Sequence, residues 1–159
     1  MHNAVRRLGG SNGSNLLEAA IITPLLLILT LGLVDFASMF YVYLALENGV
    51  SLATRYAVTG NQMADPNNPS QLLSHDDSIK AAMRQATPAL TIADADFTFN
   101  HMPMGGSGWL GGSGGPGDIA KVTIDYVWVP LTPILRPFLT NGQLMVEVAS
   151  AMKNESKFQ

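Results

Sequence analysis

Residues 14–46 read SNLLEAAIITPLLLILTLGLVDFASMFYVYLAL, and the reading of this stretch decides the fold. Ala19–Val34 gives 16 residues without a charge, and beyond Asp35 the segment Phe36–Leu46 adds eleven more. As a helix, 19–46 would be about 42 Å long at ~1.5 Å per residue, more than the ~30 Å hydrocarbon core of a bilayer. A secretory signal carries an apolar region of only ~7–15 residues. The segment therefore reads as a spanning helix that continues past the bilayer, and its length argues against the core helix of a soluble protein. Glu18 sits almost at its start. A carboxylate so placed costs roughly 2.5–3.5 kcal/mol in lipid, and no Lys or Arg lies within one helical turn of it. A partner missing from its own chain points to another molecule.

The flanks give an orientation. Arg6 and Arg7 precede the apolar run, and no Lys or Arg follows until Arg55. The positive-inside tendency then places residues 1–13 in the cytoplasm, as a leader-like segment, and the C-terminal body outside. Phe36, Phe40 and Tyr43 share a helix face, as an interfacial aromatic belt would. Ser14 or Asn15 is an acceptable N-cap, Pro24 predicts a kink or local unwinding over 17–23, and Gly60 is a natural stop. Residues 14–60 thus form a transmembrane and assembly helix whose later stripe, Leu46, Val50, Ala53/Thr54 and Ala57, is less polar than its surroundings.

The remaining residues, 61–159, read as a small α+β body. Residues 61–74 are turn-rich, with Pro66 and Pro69. A short helix follows, with Asp76 and Asp77 at its start, Ile79, Ala82, Met83 and Ala86 on its apolar face, and Pro88 at its end. Three strands are expected at 96–102, 119–129 and 143–152, each alternating in polarity. Between the first two lies MGGSGWLGGSGGPG, residues 104–117, with glycine at eight of fourteen positions, read as a flexible loop. Between the last two lies a proline-marked excursion, 130–142. A roughly three-stranded antiparallel sheet covered by helices is the economical assembly.

Composition excludes several chemistries. There are no cysteines, so disulfides, Cys-based zinc sites and thiol catalysis are out. Net charge is −3 with no basic run beyond Arg6–Arg7, which argues against nucleic acid. Gly106–Gly111 matches G-x-G-x-x-G without a strand–helix unit around it, and a glycine-rich loop matches that pattern by chance. Gly111–Gly115 matches G-x-S-x-G around Ser113, but the last histidine, His101, lies upstream, against the chain order of that family. Asp94 and Asp96 open a calcium-loop pattern that fails at Phe99 and Gly105, where Gly and Glu are required. No catalytic, cofactor or metal-binding residue is expected, and the chain is not read as an enzyme.

Glu18 remains, either as a carboxylate that snorkels to the headgroups or as an assembly residue. Cleavage between Gly13 and Ser14 would make it the fifth residue of a new chain, with a free amine one turn away. An amine on one subunit and a carboxylate on its neighbour could then neutralise each other inside an apolar filament. This arrangement is similar to type IV pilin-like proteins, whose precursors are cut after a Gly by a prepilin peptidase and carry Glu at the mature fifth position. More narrowly, LLEAAIITPLLLILTLGLVDFASMFYVYLAL, the LATRYAV segment around Arg55, VTIDYVWVPLTPIL and the C-terminal VASAMKNE resemble the TadE-like family of the tight-adherence pilus system. Ala19 departs from the aromatic that pilins of that system often carry directly after the Glu.

The resemblance implies a minor pilin or pseudopilin, single-pass in a bacterial inner membrane, assembling at the base or tip of a pilus and supporting its biogenesis and surface adhesion. Glu18 and Pro24 would serve assembly. Other pilin-like subunits, a prepilin peptidase, an inner-membrane platform, a secretion ATPase and lipid would be partners. The alternative is a membrane-tethered binding module or adhesin that never polymerises, contacting its ligand through Trp109 in the glycine-rich loop.

Overall fold

The computed structural model describes residues 11–155. One helix, α1 (Ser11–Thr59), accounts for 49 of them and is the axis on which everything else is hung. It ends where expected: Gly60 adopts φ 66°, a left-handed conformation that glycine enters without steric cost, and its N–H donates to the Ala57 carbonyl at 3.2 Å. Its start differs from expectation. The helix is already formed at Ser11, so Ser14 and Asn15 are helical residues rather than caps, and Glu18 lies in the third turn. It also runs on through Pro24 rather than unwinding there.

Beyond Gly60 the chain makes a hairpin, β1 (Ala64–Asp65) with β2 (Asn68–Leu72), in the segment read as turn-rich, where no strand was expected. Then α2 (His75–Ala86) begins under a Ser74 cap, whose hydroxyl accepts from the Asp77 N–H. It returns along α1: His75 lies against Ala57, and Met83 and the following Thr87 lie against Gly49. Four strands follow, β3 (Phe97–Met102), β4 (Leu110–Gly111), β5 (Ile119–Trp128) and β6 (Leu144–Lys153). They form one antiparallel sheet in the order β4-β3-β5-β6. The three long strands match the expected ones within a residue or two, and the fourth is a two-residue edge inside the glycine-rich segment.

The three long strands run in sequential order, β3-β5-β6, with β4 added outside β3 from the β3–β5 connection, and the long β5–β6 pair lies along α1. At one end Trp128 faces Leu144 across the ladder and its indole N–H donates to Ser38 Oγ at 3.0 Å. At the other end Ile119 faces Lys153, and the Glu155 N–H donates to the Val58 carbonyl at 2.9 Å. Val42, Leu46, Val50, Ala53 and Ala57 form the buried stripe of α1, at the three- and four-residue steps that keep one helix face inward. Against it pack Ile79 and Met83 from α2, Phe97 from β3, Val122, Ile124 and Trp128 from β5, and Val146 and Val148 from β6. The period-two alternation of the strands sends their other residues, such as Val127, Met145 and Glu147, to an open outer face.

Candidate functional site: the exposed half of α1 and its collar

Upstream of Asp35 no residue of the helix belongs to the core among the described residues. Leu16, Leu17, Ile21, Ile22, Leu25–Leu29 and Leu33 are each more than half exposed, and the apolar residues cover the helix all round. A side chain of this kind forgoes about 1.5–3 kcal/mol when left in water, so a second apolar medium is implied. Residues 13–59 are long and apolar enough to cross a membrane.

Glu18 stands within this surface, exposed, with no ion pair or hydrogen bond to its side chain among the described residues. Its neighbours one turn on are Ile21 and Ile22. Pro24 is exposed on the same bare segment. Gly13 and Ser14, the candidate cleavage pair, are exposed and helical, with open space around the Gly13 α-carbon. Arg6 and Arg7, on which the orientation was argued, lie outside the described residues.

Where the bare segment ends, a collar begins. Asp35 is fully buried, and its carboxylate accepts from the Thr132 N–H at 2.9 Å and from the Thr132 hydroxyl. Thr132 belongs to the excursion Pro130–Gly142, which links β5 to β6 and is built from two 3₁₀ turns, Arg136–Phe138 and Thr140–Gly142. The Arg136 guanidinium closes the excursion on itself by donating to the Pro130 carbonyl at 3.2 Å. Phe36 and Phe40 stack at 6.3 Å on the exposed side of the helix, where an interfacial belt was expected. Beside them an open groove of about 470 Å³ runs between Ser38, Tyr41 and Val42 of α1, Leu90, and the Tyr126–Val129 end of β5. Sequence reasoning treated Asp35 only as a break in the apolar run. The signal was present, because an acid between Val34 and Phe36 needs an acceptor's partners as much as Glu18 does.

At the far end of the body the glycine-rich segment is more ordered than a free loop. Trp109 is 45% exposed and lies under the Lys121 ammonium, 5.5 Å from the ring centroid. Past it, the Gly112 N–H donates to Phe99 O, the Gly117 N–H to Glu155 O, and the Asn154 side-chain amide to Ser113 O and Gly115 O. Asp118 accepts from the Gly115 N–H at 2.8 Å, and this bond holds its carboxyl below the usual carboxylate range. Backbone partners therefore fix the second half of the segment, and composition alone could not reveal them.

Ser113 meets two residues at the start of α2, His75 and Asp76. Its hydroxyl donates to Asp76 at 2.7 Å, His75 Nδ1 lies 3.2 Å from its oxygen, and His75 Nε2 lies 3.1 Å from the Ala57 carbonyl. In a catalytic triad the carboxylate orients the imidazole and the serine is the terminal group. Here the carboxylate touches the serine and the imidazole ends on a backbone carbonyl, so the cluster ties the loop to both helices. The calcium-like acids are likewise engaged: Asp94 pairs with Arg84 and, at 4.0 Å, with Lys80, while Asp96 accepts from the Ala93 N–H.

Comparisons with curated proteins and with solved structures give no match. One comparison does, and it falls on the axis of the molecule, running from the candidate cleavage glycine through the bare segment, Asp35 and most of the packed stripe. Residues 13–55 match the family model of the TadE-like proteins.

Proposed function

We propose that this protein is a membrane-anchored, pilin-like subunit of a tight-adherence pilus system, acting as a minor pilin or pseudopilin at the base or tip of the filament. The observation that carries the reading is the conjunction of the TadE-like match over residues 13–55 with a bare helical segment bearing one partnerless carboxylate, Glu18. The bare segment anchors the subunit in the inner membrane with its N-terminus cytoplasmic and its body outside. It then exchanges lipid for the helices of other pilin-like subunits. Glu18 pairs with the new α-amine of a neighbour after a prepilin peptidase cuts between Gly13 and Ser14. An assembly platform and a secretion ATPase drive the exchange; these partners follow from the family resemblance alone.

A second reading has one observation in its favour. The Gly13–Ser14 bond lies inside the helix, and a peptidase needs extended backbone. An uncut chain would remain a tethered binding module or adhesin.

Glu18→Ala and Glu18→Leu separate the two readings. Both variants leave a carboxylate out of lipid, where it costs roughly 2.5–3.5 kcal/mol, so membrane insertion holds or improves. Entry into sheared surface fibres falls, Glu18→Gln is intermediate, and Gly13→Arg reproduces the loss because the amine never forms. Wild-type fibre entry and adherence in both Glu18→Ala and Gly13→Arg would transfer the function to the tethered-module reading.

A further inference from the structure

The collar shows a feature that neither anchoring nor assembly through Glu18 requires. Pro130–Gly142 packs Leu139 against the core but holds out two large apolar side chains: Phe138 is 82% and Leu131 67% exposed. The flanking strand ends add Val127, Val129 and Met145, all exposed. The segment contains one cation, Arg136, and no acid. Large apolar side chains held out of the fold, as Phe138 is at the end of its 3₁₀ turn, are a poor design for a loop in water.

Their height along α1 explains them. Leu16–Val34 is 19 residues, about 28 Å of helix, close to the ~30 Å hydrocarbon thickness. Asp35 is the next residue, and the Thr132 bonds fix the excursion at that level. If the bare segment spans the bilayer, the excursion lies at its surface, beside Phe36 and Phe40. Apolar tips flanked by a cation suit a boundary that is apolar below and anionic at the headgroups.

We infer that residues 130–142 are a membrane-interface foot, which seats Leu131 and Phe138 in the leaflet nearer the body and, through the Asp35–Thr132 clamp, sets the tilt of the body on the membrane. The inference rests on the membrane-anchored reading but not on filament formation. Its occupant is lipid, because the foot is continuous with the segment that lipid surrounds. A second subunit is the rival occupant.

The absence of cysteine makes the test clean. Single-cysteine variants of the full chain, Leu25→Cys, Phe138→Cys and Gln71→Cys, carry an environment-sensitive fluorophore. They are reconstituted at low protein-to-lipid ratio in phosphatidylcholine–phosphatidylglycerol vesicles containing lipids spin-labelled at shallow or deep positions. The label at 138 should be quenched by the shallow spin label, that at 25 by the deep one, and that at 71, on the exposed hairpin, by neither. Adding Asp35→Ala should diminish quenching at 138 and leave that at 25 unchanged. Quenching at 25 with none at 138 overturns the foot while leaving the anchor intact. No quenching at 25 overturns the anchor and the foot together. A label at 138 whose environment changes only as protein-to-lipid ratio rises overturns lipid as the occupant in favour of a second subunit.

Discussion

The two halves of α1 are written with the same residues and do opposite things. Residues 13–34 expose apolar side chains all round and, among the described residues, contribute none to the core, whereas residues 35–59 confine their buried positions to one stripe and carry the body. The packed half sets Glu47, Asn48 and Arg55 around that stripe; between Glu18 and Asp35 the bare half has no charge. Hydrophobicity by itself therefore does not tell a core helix from a membrane helix. The distribution around the helix does, and Asp35 marks the residue where one environment gives way to the other.

Glycine offers the sharpest way to break this comparison, because each half contains one mid-helix. A β-carbon at Gly49 would lie 2.6 Å from Thr87 Cγ2 and 2.7 Å from Met83 Sδ. Thr87 cannot turn away easily, since its hydroxyl donates to the Met83 carbonyl at 2.9 Å. Gly49→Leu should destabilise the body by about 3 kcal/mol, the upper end of the usual overpacking range. At Gly32 nothing lies within 4 Å, and Gly32→Leu should leave body unfolding unchanged. Thermal unfolding of the full chain in nanodiscs, followed by near-UV circular dichroism, reads both. Equal losses would mean that the bare half is packed as well.

A second contrast sets the two carboxylates against each other. Asp35→Ala strands the Thr132 N–H and hydroxyl in a buried site, at a cost of about 1–3 kcal/mol. Asp35→Asn keeps one acceptor oxygen and should lose less. Glu18→Ala should not move the body's unfolding temperature at all, since no side chain of the body reaches it. Loss of amide protection at Thr132 in Asp35→Ala, and its retention in Glu18→Ala, would confirm the division. The reverse pattern would abolish it.

How much of this was legible in the sequence depended on how local each cause is. The stripe Leu46–Val50–Ala53–Ala57, the stop at Gly60, the short helix before Pro88 and the three long strands follow from periodicity and capping within a few residues, and all are present. The hairpin at 64–72 was not legible, because Asn68–Leu72 is wholly exposed, contains Pro69 and shows no alternation. It is held instead by the Leu73 N–H on Met63 O and by Ser78 Oγ, which accepts from the Met63 N–H. Asp35 and Thr132 are separated by 97 residues, beyond the reach of any local pattern. Ser113 shows the same limit, since chain order could not foresee that α2 returns His75 and Asp76 to the glycine-rich segment. That Glu18 and Pro24 lie on an exposed apolar segment was legible, because the bare half is a one-dimensional object.

The smallest expected effect sharpens the comparison through pH. Three carboxyls of the body are held below the usual carboxylate range: Asp77 by hydrogen bonds from Ser74 and then Lys80, Asp94 by the Arg84 guanidinium and then Lys80, and Asp118 by the Gly115 N–H. A carboxyl whose folded pKa is lowered binds its proton more weakly folded than unfolded. Its contribution is thus complete above the unfolded value of ~3.9 and is lost as pH falls through the lower folded values. Asp77 and Asp94 are exposed and Asp118 is half-buried, and solvent screening keeps such contributions small. The body should hold constant on their account from pH 7 to about 5 and loosen only below about pH 4, seen as a change in Trp128 fluorescence. Asp118→Asn should make that acid loosening less steep, because the amide oxygen still accepts from Gly115 but no longer titrates. Residues 19–34 carry no titratable side chain, so their helical signal in nanodiscs should persist through the same titration. A body that loosens already above pH 5 would assign control of the fold to groups other than these carboxyls. Simultaneous loss of both signals would show that the two halves of α1 do not unfold independently.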